Sequence, residues 1–190
     1  MPDRKPTVAI IHSSPISVPV YEPLFRALAP EVQVENVVEE GLLDSVVEAG
    51  GVTEALRARL LDAFARAEAQ GADLLFSACS SVGEVADEAS ARASVPLVKV
   101  DEAMATHACR ACSPGGRIGI VATLPTTLGP TARLLERVAA ASQLRIEVST
   151  RLVEGAFAAL SAGDRAAHDA AVRREVASFA SGVDVLVLSL

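Results

Sequence analysis

A chain of 190 residues with 51% hydrophobic content holds enough core material for one large α/β domain or two small ones. A formal charge of −7, with no basic stripe interleaved with aromatics, excludes nucleic acid as a partner, because neutralising phosphates takes clustered Lys and Arg. No stretch approaches the roughly 20 apolar residues that a membrane span needs.

The polar start Met1-Pro2-Asp3-Arg4-Lys5-Pro6 and the short apolar run after it do not read as a signal peptide. Strands and helices then alternate almost without a break. Thr7–His12 is a β-branched strand, Tyr21–Ala29 a short helix and Val32–Val38 a second strand. Val52–Gln70 carries Leu56, Leu60, Phe64 and Ala67 on one helical face, and Gly71 ends it. Leu74–Ala78 is a strand, Val82–Arg92 a helix, Leu97–Val100 a strand and Asp101–Cys112 a helix. Ser113-Pro114-Gly115-Gly116 is a turn. Ile118–Ala122 is a strand, Thr131–Ser142 a helix, Arg145–Thr150 a strand, Asp164–Ser181 a long helix and Val183–Leu188 a strand. The alternation predicts parallel sheets covered by helices. Three cysteines, an odd number, fit a reducing cytoplasm better than a disulfide framework, and the protein is expected to be cytoplasmic.

Two stretches return at a nearly constant offset. Gly71-Ala72-Asp73-Leu74-Leu75-Phe76-Ser77-Ala78-Cys79 echoes in Gly182-Val183-Asp184-Val185-Leu186-Val187-Leu188-Ser189-Leu190, 111 positions on. Val8–Pro15 echoes in Ile118–Pro125, 110 positions on. The echo predicts a duplicated α/β unit, with a first lobe over residues 1–100 and a second over 101–190. A chain ending inside a buried strand is unusual, so further residues are expected beyond Leu190.

Ligands of open parallel sheets gather beyond the carboxyl ends of the strands, and the chemistry-bearing residues cluster there. Cys79 sits where strand gives way to helix. Backbone N–H groups and the helix dipole at such a place are expected to lower its pKa and make it the most readily alkylated of the three cysteines. The same N–H groups, with Ser80 and Ser81, suit a carboxylate. The plain alternative is a buried structural cysteine. Ser13, Ser14, Thr123, Thr126 and Thr127 follow the first strands of the two units as candidate carboxylate donors; the alternative is that they cap helices. His12, at a strand end, reads more readily as packed than as a base.

Other patterns lead nowhere. A tyrosine-phosphatase loop needs Arg six positions after the Cys, where this chain has Val85. Cys109-Arg110-Ala111-Cys112 has CxxC spacing but neither a preceding strand nor a second ligand pair, and no metal site is expected. No P-loop is present, and no Gly-x-Gly-x-x-Gly follows a strand. Lys99, beside Asp101 and Glu102, reads as a paired surface charge. Glu154, Asp164 and His168 read as solvated or capping groups.

On Ser77-Ala78-Cys79-Ser80-Ser81, Ile118–Thr127 and Val183–Leu190 the chain resembles the aspartate/glutamate racemase superfamily, which includes hydantoin racemases, maleate isomerases and arylmalonate decarboxylase. The resemblance implies two pseudo-symmetric α/β lobes with parallel sheets and an interdomain active-site cleft. It places Cys79 on the family's first cysteine and Thr123–Thr127 on its carboxylate-binding turn. It also implies cofactor-independent chemistry: one thiol takes the proton α to a carboxylate, and a second returns a proton to the other face. Family members read Leu-Gly-Cys-Thr at the second position, where this chain reads Leu188-Ser189-Leu190, and they continue with a strand and helix that return to the first lobe. The expected activity is a racemase or isomerase acting on an amino acid, hydantoin or dicarboxylate. The alternatives are a one-cysteine isomerase or decarboxylase, and a catalytically degenerate small-molecule binding protein. A small carboxylate is the expected partner, and a homo-oligomer is compatible with the sequence.

Overall fold

A computed structural model describes residues 4–190. The chain divides into two compact units, one ending at Val100 and the other running from Asp101 to Leu190.

The first unit contains β1 (Thr7–His12), α1 (Val18–Leu28), β2 (Gln33–Val38), α2 (Leu42–Glu48), α3 (Glu54–Ala69), β3 (Leu74–Ser77), α4 (Gly83–Ser90) and β4 (Leu97–Lys99). Its sheet has the order β2-β1-β3-β4, with every pairing parallel. The second unit contains α5 (Glu102–Ala111), β5 (Gly116–Ala122), α6 (Pro125–Ala141), β6 (Ile146–Leu152), α7 (Ala156–Ser161), α8 (Arg165–Phe179) and β7 (Val185–Ser189). Its sheet is β6-β5-β7, again all parallel. The order β-α-β-α-α-β thus occurs twice. The expected α/β class with parallel sheets is what the molecule has.

Hydrogen bonding explains the repeated Gly-x-Asp. In the first unit the Thr7 amide donates to the Asp73 carboxylate at 2.7 Å, and the Asp73 amide donates to the Thr7 carbonyl at 2.8 Å. In the second, the Arg117 amide donates to Asp184 at 2.7 Å and the Asp184 amide to the Arg117 carbonyl at 2.9 Å. Each aspartate clasps the start of the unit's first strand and sets the register of the third. The Thr7 amide and the Arg4 guanidinium hold the Asp73 carboxyl below its ordinary value.

Each unit has its own core. In the first, Ala9, Ile11 and Leu75 on one sheet face meet Leu42, Val46, Leu60, Phe64 and Ala86. On the other face Phe76 meets Tyr21 and Phe25 of α1 edge to face, at 5.6 and 5.5 Å between centroids. In the second unit Ile118, Ile120 and Val187 pack with Leu134, Leu135 and Ala139. Val121, Val153, Ala156 and Val172 form a further cluster. Each fully buried Ile or Leu is worth about 1.5–3 kcal/mol relative to exposure. Gly119 has no room for a side chain, since a Cβ there would stand 2.8 Å from Phe179 and 2.9 Å from Val183.

Several boundaries differ from those expected. The helix expected at Thr131 begins at Pro125, because proline suits the first turn and Pro130 is carried inside. Helices α2 and α7 were not foreseen. They are 7 and 6 residues long, and each is entered through a left-handed glycine, Gly41 (φ 70°) and Gly155 (φ 74°). Among the described residues no helix is long and apolar enough to cross a membrane.

Candidate active site

In a parallel sheet ordered 2-1-3, the crevice where ligands bind opens between the first and third strands, where the order reverses. In the first unit that point lies between the carboxyl ends of β1 and β3. Ile11 pairs with Ser77, and the Ala78 amide donates to the Ile11 carbonyl at 3.1 Å. Two residues further, Ser13 and Cys79 fall on the same row and the same sheet face. The first unit therefore brings Ser13, Cys79, Ser80 and Ser81 to its switch point.

Cys79 is an extended residue that begins a 3-10 turn, Ser80–Val82, which leads into α4. Its side chain is partly buried against the core cluster of Leu75 and Val82. It makes no regular capping bond to that turn. The Ser13 hydroxyl, the Ser81 and Val82 amides and the Ser81 hydroxyl nonetheless lie near enough to favour the thiolate. Burial outweighs them and pushes the Cys79 thiol up. The expected depression of its pKa is thus corrected: the donors act in the expected direction, but the packing around the sulfur keeps enough water away to outweigh them. The resting group is a thiol.

The two serines after β1 do different things. Ser14 caps the 3-10 turn Pro15–Ser17, its Oγ accepting the Ile16 amide at 3.5 Å. Ser13 is 5% exposed and is anchored through its carbonyl, which accepts the Leu43 amide at 3.0 Å.

His12 is fully buried. Its Nδ1 lies 2.7 Å from Ser17 Oγ and its Nε2 2.9 Å from Asn36 Oδ1, beneath Tyr21. It is packed, as expected. Burial lowers its pKa, and the Asn36 contact opposes this. The folded state therefore resists protonation more than the unfolded chain does. The stability that His12 contributes is complete above the ordinary value of 6.5 and is lost as pH falls through the lowered folded value. Urea unfolding between pH 5 and 8 should show this acid-side loss, and His12→Gln should flatten it. An unchanged slope in the variant would assign the loss to other groups.

In the second unit, Val121 pairs with Leu188 and Ala122 with Ser189. The row that holds Ser13 and Cys79 in the first unit holds Thr123 and Leu190 here. Thr123 follows β5, and Thr126 and Thr127 lie in the first turn of α6; all three are buried. Leu124 is the residue that caps α6, without a side-chain bond. At the end of β7 a buried hydroxyl pair, Thr131 and Ser189, stands 3.1 Å apart. Sequence reasoning missed it, and the only signal was a Ser inside an apolar strand.

Other expected assignments resolve plainly. Cys109 and Cys112 are buried free thiols whose Sγ atoms lie 3.6 Å from the carbonyls of Leu135 and Ser113. Burial raises both pKa values. Lys99 is paired, with Nζ 2.8 Å from Asp87, but it is buried rather than on the surface. Asp164 caps α8. His168 is not solvated: it is buried, with Nδ1 2.9 Å from Asp169. Among the described residues no group of three or more His, Cys, Asp or Glu could hold a metal ion.

A family model described as Asp/Glu/hydantoin racemase matches residues 48–189. No curated protein sequence matches the chain. Among solved structures, glutamate racemase from Francisella tularensis subsp. tularensis SCHU S4, in complex with D-glutamate, is similar with a TM-score of 0.73 at 14% identity. That match covers 97% of this chain and 68% of the other. A glutamate racemase isoform from Bacillus anthracis has a TM-score of 0.73 at 14% identity, covering 98% and 69%. Allantoin racemase from Klebsiella pneumoniae has a TM-score of 0.68 at 21% identity, covering 97% and 74%. At these identities the likeness is one of fold.

Proposed function

The chain belongs to the Asp/Glu/hydantoin racemase family, and on that footing we propose that it is a cofactor-independent racemase or isomerase acting at the carbon α to a carboxylate, with Cys79 as its acid/base group. The observation that carries this reading is the place of Cys79, at the switch point of a parallel sheet with hydroxyl and amide donors around its sulfur. The Cys79 thiol first releases its proton to solvent. Its thiolate takes the α proton, the electron pair of the C–H bond passes into the carboxyl system, and a proton returned from solvent to the opposite face of the carbon completes the exchange. Hydrogen bonds to the carboxylate stabilise the charge that develops there. We assign that binding to Ser14, Ser80 and Ser81 and to the hydroxyls of Thr123, Thr126 and Thr127.

The family reading of substrate is a small carboxylate, an amino acid or hydantoin. Incubation of the protein in D2O with a panel of such compounds tests it. Deuterium entering the α position, followed by NMR, together with decay of optical rotation, is the expected result. No exchange with any member of the panel counts against the reading. Thr126→Ala or Thr127→Ala should weaken binding of a turned-over carboxylate by about 1 kcal/mol for a neutral hydrogen bond and up to about 3 kcal/mol for one to a charged group. Titration calorimetry reads this directly.

One observation favours a second reading. Leu190 occupies the row that Cys79 occupies in the first unit, and a leucine side chain has no exchangeable proton. Isomerisation through a covalent adduct, or decarboxylation with protonation on one face, needs only one thiol. Release of carbon dioxide from a malonate-type substrate separates this from racemisation.

A further inference from the structure

The sequence groups Ser13 with the carboxylate donors, but its place in the sheet gives it a different task. We propose that Ser13 is a positioning residue for Cys79, its hydroxyl holding the sulfur at the end of β3 and stabilising the thiolate when the proton leaves. Ile11 and Ser77 are register partners on adjacent parallel strands, whose spacing is about 4.8 Å. Side chains two positions on return to the same face, so Ser13 and Cys79 stand side by side. Ser13 is itself fixed, buried and held by the Leu43 amide. The Ser13 hydroxyl is a hydrogen-bond donor to the sulfur and opposes the effect of its burial. The corresponding row of the second unit pairs Thr123 with Leu190, so the pairing of hydroxyl with sulfur belongs to the first unit alone.

The catalytic meaning of this inference rests on Cys79 being the acid/base group, but its test needs no substrate. The full chain is labelled with iodoacetamide across a pH series, and each cysteine is followed by peptide mapping. Cys109 and Cys112, buried in the second unit, serve as internal references. Ser13→Ala should move the pH midpoint of Cys79 labelling up by about one unit, a roughly tenfold slowing at any pH below the midpoint. Ser13→Val should do the same, while Ser13→Thr, of nearly equal volume, keeps the hydroxyl and should stay close to the parent. This pair decides the matter if the alanine variant does not fold. An unmoved midpoint in Ser13→Ala and Ser13→Val, or a Ser13→Thr shift as large as that of Ser13→Val, overturns the proposal. A shifted midpoint in a protein that exchanges no α proton supports Ser13 while rejecting the proposed function.

Discussion

Cys79→Ser is expected to lower turnover of a carboxylate substrate by about 1000-fold or more while leaving its dissociation constant within about threefold, since positioned acid/base groups contribute about 100- to 10,000-fold. A hydroxyl in place of the thiol nearly preserves shape and can still donate a hydrogen bond. It cannot exchange protons at neutral pH as a thiol does, even one whose pKa burial has raised. The donors around the position, Ser13, Ser81 and the Val82 amide, remain in place. Deuterium incorporation at the α carbon measures the first quantity and calorimetry the second. Turnover within tenfold of the parent would remove Cys79 from the chemistry, and a matching loss of binding would make it a structural residue.

Phe64→Ala should destabilise the protein by about 3–5 kcal/mol, the usual cost of truncating a buried aromatic side chain. Phe64 is 2% exposed and packs in the cluster of Ile11, Leu60 and Leu75 against which the Cys79 side chain also rests. It also lines a groove of about 290 Å3 beside α3, with Leu61, Leu75 and Ala89. Water entering the space from this groove would relieve part of the cavity cost, so the lower end of the range is expected. Urea unfolding followed by circular dichroism gives the figure. A loss below about 1 kcal/mol would mean that the cluster rearranges to fill the site.

Much of this was legible because parallel sheets write plainly. The strands of β1, β3, β5 and β7 are short apolar runs bounded by turn residues, and the two echoes fall on register partners. Val8 pairs with Leu74 and Ile118 with Val185, so the difference between offsets of 110 and 111 is one extra residue between β5 and β7. A third echo went unread. Glu39, after β2, donates its amide to the His12 carbonyl at 2.9 Å, as Val153, after β6, does to Ala122 at 2.8 Å. The next residues are Glu40-Gly41 and Glu154-Gly155, each opening a short helix. Helices of 7 and 6 residues are too brief for a 3.6-residue period to show, and the glycines alone were too common a signal. At the site, the position of Cys79 was readable from sequence and its ionisation was not. A thiol's pKa depends on how much water reaches it, and water access is set by side chains far apart in the chain.

The edge strands have a bearing on how the protein behaves in bulk. Among the described residues β4 and β7 border their sheets, and each leaves an apolar side chain in solvent, Val98 at 43% and Leu188 at 46% exposure. Such borders are ready templates for adding another strand. The surplus of seven negative charges at neutral pH opposes that, because like-charged copies repel. Near the isoelectric point of about 5.0 the repulsion vanishes while the sticky borders remain. Colloidal stability should therefore fail as the pH falls toward that point, and handling well above it keeps the copies apart.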